Sequence, residues 1–530
     1  MSKSVVAKGA AILMVAMVAS RLLGYVREKA IAHYFGDNWW TDAFVSAFNV
    51  PDLIYYLLAG GALGAAFIPI FREYLARDDA EGGHRVASSL LNLMLLALLA
   101  AGLLAVIFAP ALVRVIARGY TPGIDPRYEL TISLTRVLMP QVVIMGISAI
   151  FTAMLQSHDH FTWPAIGWCV YNLGIITGAV FLAGLIGGPP EKQVYGLVFG
   201  VLLGAVLIVL IQLPTLRSKG FRWRLTVSLS DPDVRRVLRA WLPVMLALAF
   251  SQINLLALPQ WLGTYFGDGM VLSVRLAQRL ILVPFSLFGV SIATAAFPTM
   301  STLAFSGHLQ EMRRTFSRSL SSILFFTLPS AAGLMVLALP VTRLLWKSGE
   351  YSEAATAANA SMLMFFAIGL AALCALQVIN RAFFALREVS TPMKVGAAVF
   401  IINLLLCVLL MRTSLTYRGI ALGTSIGFCI NALILFELLR RRMEGIGGRA
   451  IADSFIRSLG AALLMAVVVA VVAGAVDRLT VGGGLQGAAL KVFAGIAVGA
   501  PVYLAAALSL KVPEAALAWQ RLLRRLHLRR

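Results

Sequence analysis

Residues 84–117 read HRVASSLLNLMLLALLAAGLLAVIFAPALVRVIA, and their unbroken apolar character decides the fold class. A helix needs about 20 apolar residues to cross a hydrocarbon core of about 30 Å, and this stretch exceeds that length. It lacks the period-2 alternation over about 10 residues that marks a barrel strand. Inside a bilayer every backbone polar group must bond within the protein, so a continuous apolar run of this size is a helix.

Runs of the same kind recur along the whole chain. They predict fourteen spans at about 5–35, 41–71, 84–117, 127–157, 161–187, 194–216, 234–264, 269–303, 312–345, 353–386, 392–412, 418–441, 454–476 and 485–510. The composition agrees: of 530 residues, 60% are hydrophobic and 13% charged, with mean hydropathy +0.86. A water-soluble chain of this size needs far more polar surface. The connections are short, so no extramembrane domain is expected. Lys3 and Lys8 precede the first run, but no small-residue cleavage site follows, which predicts a retained first helix.

The net charge of +21 raises the question of nucleic acid, and its placement answers it. With the N-terminus in the cytoplasm, most Lys and Arg fall in the loops at 72–85, 217–239 and 440–457, around Arg313, Arg387 and Lys394, and in the tail from Lys511. This is the positive-inside asymmetry, and it places both termini in the cytoplasm. The basic run from Arg217 to Arg239 is a topology signal that also meets anionic headgroups, and no nucleic-acid partner is expected.

The halves of the chain echo each other. Tyr34-Phe35-Gly36-Asp37 recurs as Tyr265-Phe266-Gly267-Asp268, Ser20 matches Ser251 by the same displacement, and Ala65-Ala66-Phe67 is answered by Ala295-Ala296-Phe297. A repeat displaced by six spans keeps its orientation. It predicts two parallel six-helix lobes, 1–217 and 218–443, with a substrate site between them near mid-membrane. Residues 444–530 then hold an accessory hairpin and a basic tail.

Charge inside the spans is the most informative chemistry. The first span contains Ser20-Arg21-Leu22-Leu23-Gly24-Tyr25-Val26-Arg27-Glu28-Lys29, and the eighth contains Arg275-Leu276-Ala277-Gln278-Arg279. An arginine at the bilayer centre costs about 3 kcal/mol or more, so these residues must pair with acids or line a wet cavity. One reading is structural: Glu28 and Asp42 neutralise them, with Arg21 and Glu28 on one helix face, while Arg27 and Lys29 snorkel. The other is functional. No acid follows Asp268 in the eighth span, so Arg275 and Arg279 form a positive face, and a guanidinium fork suits phosphate.

Helix breakers supply candidate hinges at Gly24, Pro51, Gly60, Gly61 and Pro284, with close packing of small residues as the alternative. Cys169, Cys374, Cys407 and Cys429 lie in apolar runs without metal-ligand spacing. His158 and His160 read as solvated turn residues. Neither GxxxxGK[ST] nor HExxH occurs, so no catalytic residue, metal or cofactor is expected, and transport would be driven by a gradient or the membrane potential.

The segment from Ser20 to Glu28, with Tyr34-Phe35-Gly36 and Thr41-Asp42-Ala43-Phe44, resembles the opening of the MurJ/MviN family of lipid II flippases. Ala66-Phe67-Ile68-Pro69, Ser251-Gln252-Ile253, Arg279-Leu280, Phe297-Pro298, Gly349-Glu350-Tyr351 and Phe384 through Lys394 extend the resemblance across all fourteen spans. It implies the multidrug/oligosaccharidyl-lipid/polysaccharide exporter fold: two lobes in a V, plus two C-terminal helices forming a lipid-filled groove. It implies export of undecaprenyl-pyrophosphate-linked disaccharide-pentapeptide across the bacterial cytoplasmic membrane by alternating access. Arg21, Arg27 and Arg279 match the family's cavity arginines and Asp42 its second-helix acid, and Glu28 and Arg275 join the predicted substrate site. Membrane lipids are implied partners, with cell-wall synthesis and division proteins as candidates.

The pattern has departures. Tyr55-Tyr56 stands where the family often has twin arginines, Gly60 replaces a glutamate, and Gln278 replaces an acid. Asn403 and Thr424 match a candidate cation site, but Cys407 follows Asn403 where sodium-binding members carry an acid. A flippase for another polyprenyl-linked glycan, a drug antiporter and a non-transporting scaffold for wall synthesis remain as alternatives.

Overall fold

The structure is a computed structural model that describes residues 3–520 apart from 59–61, 222, 229, 480–483 and 518. Side chains are described except those of 3–14, 17, 57, 58, 62–66, 80, 240, 243, 244 and 246–252. The predicted hinges Gly60 and Gly61 therefore lie outside the described residues.

The regular structure of the described residues is helical throughout. The described residues of the predicted stretches are largely helical, often in two or three pieces. Residues 84–117 become Ala80–Ile107 and Ala109–Ile116, with Pro110 in the first turn of the second piece, where its missing N–H costs nothing. Among the described residues, ten helices are long and apolar enough to cross a membrane. An eleventh crossing is added if Glu353–Ile368 and Leu370–Ala385, bent by 45°, count as one span. The bend falls at Gly369, where a Cβ would lie 2.7 Å from the Ser425 Cα. Ser425 Oγ donates to the carbonyls of Phe365 (2.7 Å) and Phe366 (3.2 Å), acceptors at the break.

Among the described residues, three wider π-type turns interrupt the helices, at Gly178–Leu182, Ile253–Ala257 and Phe285–Val290. The last directly follows Pro284, whose ring nitrogen has no hydrogen to give the preceding turn.

Packing divides the chain into two compact units. The first comprises Met1–Leu272 with Ser348–Ser352, and the second Ser273–Lys347 with Glu353–Arg530. In the first, Phe67, Phe71, Leu90, Leu98, Val113 and Met154 are buried together, with Phe67 and Phe71 stacked at 5.1 Å. The Pro232–Gln252 helix packs on Trp39–Leu58 and Ala62–Ala76 within this unit. In the second, Gly448–Leu479 pairs with Leu485–Ser509 and lies against Leu309–Val336, while Ser390–Met411 pairs with Arg418–Arg442. Burial inside a membrane exchanges lipid contacts for protein contacts, so close fit and hydrogen bonds hold such helices more than water exclusion does.

Candidate functional site

In the first unit the charged run of Lys3–Phe35 closes on itself. Arg27 is 8% exposed and Glu28 1%. Arg27 donates through Nη2 to Glu28 Oε1 and through Nη1 to Asn172 Oδ1 at 3.0 Å. Asn172, on Thr162–Thr177, donates in turn to the carbonyls of Ser20 (3.2 Å) and Trp168 (2.9 Å). The carboxylate of Glu28 thus meets Arg27, its sequence neighbour, and Arg27 is an ion-paired residue. Burying the pair is tolerable because further hydrogen bonds support it. Arg21 is exposed, two turns earlier on the same helix. Asn172 escaped sequence reasoning, although an amide inside the apolar run TWPAIGWCVYNLGIIT was a visible signal.

In the first turn of Trp39–Leu58, Asp42 is fully buried and accepts the Leu272 N–H at 2.9 Å, in the first turn of Met270–Pro284. A carboxylate there satisfies an orphan donor and faces the positive end of the helix dipole. The chain arrives through Gly269, whose φ is +77° and where a Cβ would lie 2.3 Å from the Asp37 Cβ. Asp37 accepts from Ser352 twice, from the N–H at 2.8 Å and the hydroxyl at 2.6 Å. The Glu350 N–H donates to the His33 carbonyl at 3.0 Å. The Tyr34–Asp37 turn therefore clasps Ser348–Ser352, and two motifs singled out separately in the sequence touch each other.

In the second unit, Met270–Pro284 carries the other arginines. Arg275 is 4% exposed and Gln278 5%, while Arg279 is half-buried. One turn apart, Arg275 and Arg279 share a face, as their spacing predicted. Asn359 Nδ2 donates to the Ser273 carbonyl at 2.6 Å and holds the start of this segment. A further intraspan arginine was not singled out from sequence: Arg381 Nη2 donates to Thr294 Oγ1 at 2.9 Å, and its guanidinium lies 5.8 Å over the Phe297 ring. Its contacts are a hydroxyl and an aromatic face, which leave the charge available to an anion.

The same unit contains an apolar groove of about 780 Å³. Leu280, Val283 and Pro284 form one wall, and Phe326, Val469 and Ile496 come from three other helices. Phe288 and Phe326 stack at 5.0 Å. A long, almost wholly apolar groove suits an aliphatic chain.

Asn403 and Thr424 are both buried, and the thiol of Cys407 stands between them. It donates to Asn403 Oδ1 at 3.3 Å, with Thr424 Oγ1 at 3.7 Å and the Ile420 carbonyl at 3.4 Å. A hard cation prefers several oxygens including a carboxylate, so this sulfur-centred set fits sodium poorly. Among the described residues no group of three His, Cys, Asp or Glu could hold a metal. Of the predicted hinges, Pro51 is buried within Trp39–Leu58, Pro284 precedes the Phe285–Val290 turn, and a Cβ on Gly24 would meet nothing within 4 Å.

Comparison with known proteins bears on this arrangement. A family model described as "Lipid II flippase MurJ" matches residues 31–484. A probable lipid II flippase MurJ of Rhizobium tropici is 30% identical over 431 residues, 81% of this chain and 79% of that protein. The lipid II flippase MurJ of Burkholderia cenocepacia is 28% identical over 452 residues, 84% of this chain and 86% of that one. Among solved structures, a lipid II flippase MurJ in an inward closed conformation superposes with TM-score 0.77 at 22% identity, covering 96% of this chain and 99% of that one. An inward-facing multidrug resistance MATE transporter of the MOP superfamily gives TM-score 0.66 at 15% identity, covering 82% and 98%.

Proposed function

Because this chain belongs to the MurJ family of lipid II flippases, we propose that it carries undecaprenyl-pyrophosphate-linked disaccharide-pentapeptide from the inner to the outer leaflet. It is a multi-pass bacterial membrane protein and a transporter rather than an enzyme. In this reading the chain crosses fourteen times with both termini in the cytoplasm. Residues 1–217 and 218–443 form two six-helix lobes, and 444–530 an accessory hairpin with its tail.

One observation carries the reading: the helix Met270–Pro284 bears Arg275 and Arg279 and also gives Leu280, Val283 and Pro284 to the apolar groove. Two arginines and an aliphatic groove on one helix support a molecule with a diphosphate head and a polyprenyl tail. Arginine binds the pyrophosphate through its planar fork, and the tail stays in apolar surroundings. Arg21 and Arg381 are further candidates for the diphosphate. Arg27 with Glu28 is the polar support of the first helix, and Asp42 fixes the start of the arginine helix. Alternating access with Pro51 and Pro284 as hinges completes the mechanism, driven by a gradient or the membrane potential. Sodium is not the driving ion in this reading, because Cys407 occupies the centre of the Asn403–Thr424 set.

A cell depleted of its own lipid II flippase tests the proposal. The chain should restore growth, and Arg279→Ala should abolish rescue at equal membrane expression. Failure of the wild-type chain to rescue, despite membrane expression, would overturn the lipid II assignment. Tyr55-Tyr56, where the family often has arginines, favours a second reading in which another polyprenyl-linked glycan is moved. Native mass spectrometry with different polyprenyl pyrophosphates separates the two.

A further inference from the structure

Helix Ala80–Ile107 carries three polar residues, Ser88, Ser89 and Asn92, in the otherwise apolar run from Val86 to Ile107. All three are buried. Their partners lie in the connection between Pro190–Ser218 and Pro232–Gln252. The Arg224 N–H donates to Ser88 Oγ at 3.2 Å, and the Ser228 N–H to Ser89 Oγ at 2.8 Å. Asn92 donates to the carbonyls of Arg224 and Thr226, both at 2.8 Å, and accepts from Trp223 Nε1 at 2.9 Å. Phe221 turns inward against His84 and Phe151. The described residues of the connection thus lie along the helix as a strap.

With its backbone engaged by the helix, the strap leaves apolar side chains exposed, and Trp223 keeps its ring partly open while its Nε1 is held by Asn92. Trp223 is 54% exposed, Leu225 81% and Val227 50%. Isolated exposed apolar residues need no explanation, but three within five residues of one connection make an apolar surface. The strap begins where the membrane-crossing helix Pro190–Ser218 ends, and it reaches Asn92, inside the membrane-crossing helix Glu81–Ile107. Its outward face therefore stands at the border of headgroups and acyl chains, where tryptophan is favoured. The neighbouring acids are engaged: Glu81 pairs with Arg224 at 2.8 Å and Glu73 with Arg236 at 3.0 Å. Arg217 and Lys219, where the connection leaves Pro190–Ser218, and Arg239, on the helix that follows it, are exposed.

We propose that this strap is an interfacial docking element for anionic phospholipid. Trp223, Leu225 and Val227 enter the leaflet on the basic side of the membrane, and Arg217, Lys219 and Arg239 hold its acidic headgroups. Apolar insertion and headgroup attraction reinforce each other, as they do for amphipathic interfacial segments. The membrane then clamps the chain at the connection between two of its long helices. The element is separate from the proposed transport site and stands whichever lipid is moved.

The test uses the full chain in vesicles of phosphatidylcholine with and without phosphatidylglycerol. Cys169 and Cys429, the partly exposed thiols, are replaced by alanine, and a nitroxide is attached at Leu225→Cys, Val227→Cys or Ser230→Cys. The labels at 225 and 227 should collide with oxygen more than with a water-soluble nickel chelate, most strongly with phosphatidylglycerol present, and the label at 230 should show the reverse. Equal access of the nickel chelate to 225, 227 and 230 in both vesicles would overturn insertion and point to a protein partner instead. In native mass spectra, the triple variant Arg217→Gln, Lys219→Gln, Arg239→Gln should retain several-fold less phosphatidylglycerol than the wild type. Unchanged retention would overturn the headgroup assignment.

Discussion

The hydroxyl of Tyr503 donates a 2.6 Å hydrogen bond to the carbonyl oxygen of Phe325, the acceptor that Pro329 leaves without its helical donor. Pro329 lies inside Leu309–Val336, so no N–H returns to the carbonyl four residues earlier. The last helix of the hairpin supplies the missing proton from beside the apolar groove. Phe325, Pro329 and Tyr503 all line that groove, so the bond ties one wall to another.

Tyr503→Phe should therefore destabilise the protein by about 1–3 kcal/mol, the cost of a buried carbonyl left unsatisfied. In a Pro329→Ala background the helical N–H returns and the same change should cost much less. Thermal unfolding in detergent of the four variants of this cycle measures the coupling. Additive effects would mean that the bond does not compensate for the proline.

Removing one member of the Arg27–Glu28 pair strands a buried charge. Glu28→Gln should cost about 3 kcal/mol or more, while the double change Arg27→Leu, Glu28→Leu should cost less than Glu28→Gln alone. Unfolding temperatures decide between the pair as a structural unit and two independent residues. Asn172→Ala should lower stability in the same direction, because it removes the Nη1 acceptor.

The Asp42 cap predicts a graded series. Asp42→Asn should retain part of the stability and Asp42→Ala should lose about 1 kcal/mol, the ordinary worth of a helix N-cap. Gly269→Ala should be worse than either, since it meets both a positive φ and the Asp37 Cβ. Thermal unfolding together with growth rescue tests the order.

Cys407 predicts how the cation site behaves. Unfolding of the wild type should be the same in sodium and potassium chloride. Cys407→Asp should be less stable in potassium and recover in sodium, because the added carboxylate completes an oxygen donor set with Asn403 and Thr424. A wild-type protein stabilised by sodium alone would refute the argument from the thiol.

Filling the groove should separate tail from head. Ile496→Trp should slow transport of an undecaprenyl-linked substrate while sparing one with a short prenyl tail, whereas Arg279→Ala should impair both. Flipping assays in proteoliposomes with the two substrates give the comparison. Equal impairment by Ile496→Trp would place the tail elsewhere.

The fold class needed only the chain itself. An apolar run as long as 84–117 has one low-energy backbone state in hydrocarbon, because the bilayer offers no partners for open N–H and C=O groups. Local order alone likewise explains the shared face of Arg275 and Arg279, since helical spacing is a property of the backbone. The partnerships were different. Spacing puts Arg21 and Glu28 on one helix face, but that Arg27 meets both Glu28 and Asn172, the latter across 145 positions, depends on how Thr162–Thr177 packs. Ser88, Ser89 and Asn92 find their partners in a connection more than 130 positions away. A proline at 329 removes a helical bond by its chemistry alone, but that Tyr503 supplies the replacement depends on the fold. Each of these depends on which distant surfaces meet. The hydrophobic pattern specifies secondary structure through short-range geometry, whereas a polar atom's partner is chosen among many by the packing of whole helices.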